Sequence, residues 1–270
     1  MEAPLLAHDG FFHIYYPPLL LRSLESVIYR TLRKENPSKF GTEFGPVFER
    51  HVEKCLDCAG IEDWNEARLT AALPGEGKCV DFMVVEEGDT ILIDAKAVEM
   101  SARGRVSYRA ELLLQAIKAS ALKAIRQGVE TKKRLAQIPG ISGGAGDTFL
   151  VVVTFDDLFL GSNRDFTQIF GANMLPQGDV AEGQPLPLEN IFFLTIKEFE
   201  DLLARILAGK TTFIQAFRHA QSEDADRRTQ KFSFTQHLDT LCKQESRLPL
   251  IEMALEELFG RCLKYLEGKE

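Results

Sequence analysis

Residues 78–98 read KCVDFMVVEEGDTILIDAKAV. The segments 78–86 and 90–98 are rich in Val, Ile, Phe and Leu, residues that favour β-strands. They are joined by Glu87-Gly88-Asp89, and a glycine in so short a connection is typical of a hairpin. The stretch therefore predicts two antiparallel strands, the second of which carries charged residues at alternate positions of an apolar run.

The segments around this hairpin predict an α/β fold with a mixed central sheet. Residues 148–155 form a continuous apolar run, typical of a strand buried on both faces. Two more strands are predicted over residues 67–73 and 190–196. Apolar residues at helical spacing predict helices over residues 18–34, 42–58, 108–128, 197–208, 213–220 and 248–267. From residue 42 to residue 155 the predicted order is helix, strand, strand, strand, helix, strand.

Composition restricts the class of protein. The chain has 270 residues, 45% of them hydrophobic, enough for one large α/β domain with additions or for two small domains. No apolar run approaches the roughly 20 residues that span a membrane, and no basic region followed by an apolar core begins the sequence. We therefore expect neither a membrane segment nor a secretory signal. Five thinly spread cysteines indicate reduced thiols and a cytoplasmic protein.

The charge is distributed unevenly along the chain. The net charge is −8, which argues against long-range attraction of nucleic acid by the whole protein. Residues 103–134 are the exception, with nine basic and two acidic side chains. This segment predicts a local basic surface in an otherwise acidic chain.

Two of the cysteines, Cys55 and Cys58, form a CxxC pair, and His51 lies one helical turn before it. A metal cluster is conceivable there, but a structural zinc site normally needs a second pair of ligands at similar spacing. The sequence offers no such pair, and two thiols near a helix end are the simpler interpretation.

The charged residues of the hairpin indicate chemistry. Alternation puts Asp94 and Lys96 on one face of their strand, and pairing of the two strands brings Asp81 beside Asp94. Adjacent carboxylates repel unless a proton or a cation lies between them, and their oxygens suit Mg²⁺ or Mn²⁺. Lys96 could orient or deprotonate a water for attack on phosphorus. The alternative is a structural ion pair of Lys96 with either aspartate.

This arrangement resembles the PD-(D/E)XK phosphodiesterase superfamily, whose restriction-endonuclease-like core has the order α-β-β-β-α-β predicted for residues 42–155. The first motif residue of the family corresponds to Asp81, and its (D/E)-x-K corresponds to Asp94-Ala95-Lys96. Val80 stands where the family often has Pro, and no Tyr follows at residue 119, so the fuller pattern is incomplete.

The resemblance implies further site residues. A glutamate of the first core helix corresponds to Glu49, with Glu43 as the second choice, and a glutamine of the next helix corresponds to Gln115. It implies that Asp81, Asp94, Glu49 and the Ala95 carbonyl bind Mg²⁺ or Mn²⁺, that Lys96 activates water, and that Gln115 orients groups around the site.

The activity implied is nuclease action, with DNA as the expected substrate, in restriction, phage defence or repair. The basic segment adds candidate phosphate contacts: Arg103, Arg105, Arg109, Lys118 and Arg126. A solvated polar helix face is the alternative interpretation of that segment. A catalytically silent, nuclease-like binding or scaffolding subunit is the main rival function, and a phosphodiesterase acting on small nucleotides is a third.

The organisation expected is an N-terminal helical extension (residues 1–40), a nuclease-like core (41–210) and a C-terminal helical region (211–270). Residues 161–190 are rich in Gly, Pro, Asn and Gln and predict a long loop. The apolar C-terminal helix could serve a homodimer, and specificity could come from a partner protein.

Overall fold

The computed structural model of the chain describes residues 5–14, 27–98, 117, 120–138, 140, 146–158, 160, 186–243 and 247–266. The chain divides into two units, Met1–Val47 and Phe48–Glu270. None of the described helices is long and apolar enough to cross a membrane.

The first unit contains an antiparallel hairpin that the sequence analysis did not predict. Strands β1 (Leu5–His8) and β2 (Phe11–Ile14) pair around Asp9-Gly10. Both turn residues have positive φ, 50° and 78°, as the twist of a two-residue hairpin requires. Strands of four residues are too short to give a clear alternation in the sequence.

Helical residues 27–35 follow, and helix α1 (Pro37–Cys58) begins directly after Asn36. The Asn36 side chain accepts a hydrogen bond from Lys39 N at 3.1 Å, and Pro37 occupies the first helical position, where its missing N–H costs least. The predicted start at residue 42 was therefore wrong. Pro46 lies inside the helix.

The second unit contains a five-stranded mixed sheet flanked by helices, so the predicted α/β class is confirmed. Its strands lie in chain order and are β3 (Asp63–Asn65), β4 (Phe82–Glu86), β5 (Asp89–Lys96), β6 (Thr148–Thr154) and β7 (Ile191–Thr195). β3, β4 and β5 are antiparallel neighbours, whereas β5, β6 and β7 are parallel. The predicted hairpin is confirmed, with Glu87-Gly88 as its two-residue turn.

One strand prediction was wrong. Residues 67–73 fall in helix α2 (Glu66–Ala72), and the strand that pairs with β4 is the shorter β3 just before it. The side chain of Asn65 accepts a hydrogen bond from Arg68 N at 3.1 Å and so caps the new helix. Ala, Leu and Glu in α2 are strong helix formers, and this propensity prevails.

Helices cover both faces of the sheet. Helix α3 (Ala121–Leu135) packs its buried face against Leu150 and Val152 of β6. Phe149, which points to the other side of β6, packs against Phe217 with the two rings tilted by 31°. Helices α4 (Ile196–Leu207), α5 (Phe213–Asp224), α6 (Phe234–Leu241) and α7 (Pro249–Leu266) complete the described part of the chain.

The predicted helices differ from these mainly at their ends. Helix α3 continues past residue 128 to Leu135, α5 continues to Asp224, and α6 was not predicted. Ile117, Ala121, Ala124 and Ile125 are buried in the core that helix α3 shares with the sheet.

Candidate active site

Three of the predicted site residues, Asp81, Asp94 and Lys96, lie close together at one end of the sheet. In the antiparallel register Phe82 faces Ile93, so Asp81, directly before β4, lies alongside the end of β5. Asp81 Oδ2 accepts a hydrogen bond from Ala95 N at 2.6 Å. The Asp81 side chain thus acts as the acceptor for a strand N–H and is anchored beside Asp94.

Asp94 has no exposed side-chain surface. Its Oδ2 lies 2.5 Å from Lys96 Nζ in a buried ion pair. Its Oδ1 has no hydrogen-bond partner among the described residues. A buried carboxylate oxygen without a partner is costly and rare in a folded protein, and a bound cation would satisfy it.

The surroundings of both aspartates favour their neutral forms. Burial, followed by the charge of Asp94, raises the pKa of Asp81 to about 7, although Lys96 and the Ala95 N–H oppose the shift. Burial also raises the pKa of Asp94, against the lowering effect of Lys96 and Lys123. A divalent cation would reverse this preference because it stabilises the ionised carboxylates.

Glu49 also interacts electrostatically with this group of residues. Its pKa is raised first by burial and next by the charge of Asp81, whereas Lys96 lowers it. These effects indicate that Glu49, which belongs to helix α1, lies near the site. Glu43, the second choice, is exposed and lies 3.8 Å from Lys39 in an ion pair.

Three neighbours were not predicted as site residues. The charge of Glu66 raises the pKa of Asp81 and of Glu49, and Lys78 lowers the pKa of Glu49. Lys123 lowers the pKa of Asp94 from the exposed side of α3. Glu66 was missed because a strand was predicted directly after it, and Lys123 was counted only as part of the basic segment.

Several of the predictions concern residues outside the described part of the chain. They are Gln115, Arg103, Arg105, Arg109 and Lys118, and residues 161–185 of the long loop predicted over 161–190; residues Leu188–Asn190 of that loop form a short 3-10 helix. Arg126 is exposed on α3, three residues after Lys123 and so on the same side of the helix.

Glu49, Asp81 and Asp94 offer carboxylate oxygens, the type of ligand that Mg²⁺ and Mn²⁺ prefer, and Asp94 Oδ1 has no partner among the described residues. The three carboxylates are farther apart than the ligand atoms of an occupied metal site. Among the described residues, one group of three potential ligand atoms lies within 4.8 Å of one another, and it consists of His51, Cys55 and Glu200. Binding by the carboxylates would therefore require side-chain rotation.

The His51, Cys55 and Glu200 group is a second place that could hold a metal ion. His51 Nε2 lies 2.7 Å from Glu200 Oε1 and 3.6 Å from Cys55 Sγ. Burial raises the pKa of the Cys55 thiol to about 12, with smaller contributions from Glu200 and Cys58. The sequence analysis identified His51 and Cys55 as possible ligands, but it did not identify Glu200.

Comparison with protein-family models gives no match for this sequence, and no curated protein matches it.

Proposed function

We propose that the chain is a metal-dependent nuclease of the PD-(D/E)XK type, with DNA as its substrate. The observation that carries the proposal is the fully buried Asp94, whose Oδ1 has no partner among the described residues while Lys96 contacts its Oδ2. A carboxylate kept for stability alone would have its oxygens hydrogen-bonded, because the uncompensated charge is costly.

Asp81, Asp94, Glu49 and the Ala95 carbonyl would hold Mg²⁺ or Mn²⁺. When bound, such an ion supplies Lewis-acid stabilisation of the charge that develops on the phosphate. The Ala95 N–H fixes the orientation of Asp81 through the 2.6 Å hydrogen bond to Oδ2. Asp81 is thereby held ready to bind without a change in its backbone.

Lys96 is the residue proposed to act on the attacking water. Its side chain is 14% exposed, and its ammonium contacts Asp94 Oδ2. From there it can donate a hydrogen bond to water or to a phosphate oxygen. Its charge also stabilises the pentavalent transition state.

Cations at the edge of the site support the proposed substrate class. Lys123 is exposed, yet its charge is felt at Asp94, and Arg126 lies on the same side of α3. Exposed cations beside a carboxylate centre suit a polyanionic backbone. A role in restriction, phage defence or repair belongs to this proposal and rests on the family resemblance.

The test is cleavage of plasmid, linear duplex DNA, single-stranded DNA and RNA by the purified chain in Mg²⁺, Mn²⁺ and EDTA. Asp94→Ala and Lys96→Ala proteins are assayed beside the wild type, with Lys197→Ala as a control because Lys197 is exposed on α4. We expect cleavage that requires metal, persists in Lys197→Ala and is lost in the two site variants.

If the protein cleaves only RNA, the proposed nuclease activity stands and the proposed substrate changes from DNA to RNA. Absence of cleavage by the wild type on every substrate would overturn the proposal in favour of a catalytically silent binding subunit. The net charge of −8 motivates that rival.

A further inference from the structure

We infer that His51, Cys55 and Glu200 form a second metal site, which takes a zinc-class divalent cation and joins helix α1 to helix α4. This site is independent of the proposed nuclease centre. His51 and Cys55 belong to α1, and Glu200 belongs to α4.

The positions of the ligand atoms suit such an ion. A tetrahedral Zn²⁺ with bonds of about 2.0–2.3 Å separates its ligand atoms by roughly 3.3–3.8 Å. The 3.6 Å from Cys55 Sγ to His51 Nε2 already falls in that range. The 2.7 Å from His51 Nε2 to Glu200 Oε1 must widen. The change is about 0.6 Å, which a rotation of the partly exposed Glu200 side chain can supply.

The helix repeat brings more than one soft ligand to this face. At 3.6 residues per turn, His51, Cys55 and Cys58 fall within an arc of about 60° on α1. Cys58 is half-buried on the same side of α1, but the ligand atoms that lie within 4.8 Å of one another are those of His51, Cys55 and Glu200. Glu49 lies on the opposite face of α1, about 160° around the helix axis from His51, and so points away from this group.

The donor chemistry selects the cation. Imidazole nitrogen and thiolate sulfur favour Zn²⁺ over Mg²⁺, whereas Glu49, Asp81 and Asp94 offer only oxygen. On binding, the S–H bond of Cys55 breaks, the sulfur bonds to the metal, and the proton passes to solvent. The ion would fix α1, and with it Glu49, against α4.

The test uses the full chain without a polyhistidine tag, stripped with EDTA and titrated with Co²⁺ as a spectroscopic substitute for Zn²⁺. We expect a thiolate-to-cobalt charge-transfer band that saturates at one equivalent and disappears when Zn²⁺ is added. Cys55→Ser should abolish the band, and Glu200→Gln should weaken Co²⁺ binding by roughly tenfold or more, since even outer-shell changes at metal sites cost that much.

Two controls separate this site from the rest of the molecule. Cys242→Ser removes a half-buried thiol elsewhere and should leave the band intact. Asp94→Asn alters the proposed nuclease centre and should also leave it intact. Absence of the band in the wild type, its persistence in Cys55→Ser, or unchanged affinity in folded Glu200→Gln would overturn the site and leave a hydrogen-bonded His51–Glu200 pair.

Discussion

Asp81 is buried to 9% exposure beside a second carboxylate, and its pKa of about 7 makes a prediction about stability. The folded pKa lies above the ordinary value of 3.8, so between these values the folded protein holds a proton that the unfolded chain has released. The corresponding stability is present below pH 3.8 and is lost as the pH rises through about 7. Without metal, the free energy of unfolding should therefore fall as the pH rises from 3.8 to about 7.

Thermal denaturation in EDTA at several pH values measures this effect. Asp81→Asn should flatten the dependence, because the amide does not titrate. Asp57→Asn, which changes an exposed residue of α1, should retain the wild-type dependence. Equal slopes for the wild type and Asp81→Asn would show that Asp81 is not the group responsible.

Lys96 allows catalysis to be separated from metal binding. Lys96→Ala should slow cleavage by about 100-fold or more, the usual effect of losing a positioned proton donor or acceptor. Its affinity for Mn²⁺ should not fall, because the substitution removes an ammonium that repels the cation and competes with it for Asp94 Oδ2. Cleavage assays and a Mn²⁺ titration test both statements. A parallel loss of affinity would make Lys96 a structural partner of Asp94.

At the scale of the elements, the hairpin of β4 and β5 decides where the site forms. Alternation within β5 and pairing with β4 were sufficient to predict that Asp81, Asp94 and Lys96 meet. Glu66 was not predicted as a site residue because the segment of α2 was predicted as a strand. Residue propensity alone does not distinguish a helix from a strand reliably in so short a segment. Glu200 is separated from His51 by 149 residues, a contact that local pattern cannot reveal.

The contact between α3 and β6 provides a test of the packing. A Cβ at Gly128 would lie 2.8 Å from Leu150 Cδ2, and Leu150 is fully buried in the core. Gly128→Ala should destabilise the protein by about 1–3 kcal/mol through overpacking, less the roughly 1 kcal/mol that alanine gains in helix propensity. Denaturant unfolding measures the difference.

Gly260→Ala is the matched control, because a Cβ there meets nothing within 4 Å of the described chain. This substitution in α7 should stabilise the helix by roughly 1 kcal/mol or less. Stabilisation by Gly128→Ala as well would mean that α3 does not approach β6 as closely as described.

For the molecule as a whole, the net charge of −8 opposes binding of nucleic acid, so local cations must provide the attraction. Binding of duplex DNA by the inactive Asp94→Asn protein should weaken as salt is raised. If Lys123 contacts a phosphate, Lys123→Ala should reduce the slope of log affinity against log salt by about one. Lys197→Ala should leave that slope unchanged, and an unchanged slope for Lys123→Ala would remove Lys123 from the binding surface.

The distribution of charge was predictable from composition, whereas the position of each cation was not. Residues 103–134 supply nine basic side chains, but the sequence alone did not distinguish Lys123, which faces the site, from Arg134. Arg134 is buried and donates hydrogen bonds to the carbonyls of Pro74, Gly75 and Gly77. The difference arises from packing against the loop before β4.

The most direct test of the proposed activity is the rate of Mg²⁺-dependent cleavage of duplex DNA by Asp94→Asn compared with the wild type. Because the surroundings of Asp94 favour its neutral form, the amide should fold normally, which a melting curve checks. The proposal predicts a fall of roughly three orders of magnitude, the equivalent of several kcal/mol of lost charge stabilisation. Cleavage by folded Asp94→Asn at the wild-type rate would contradict it.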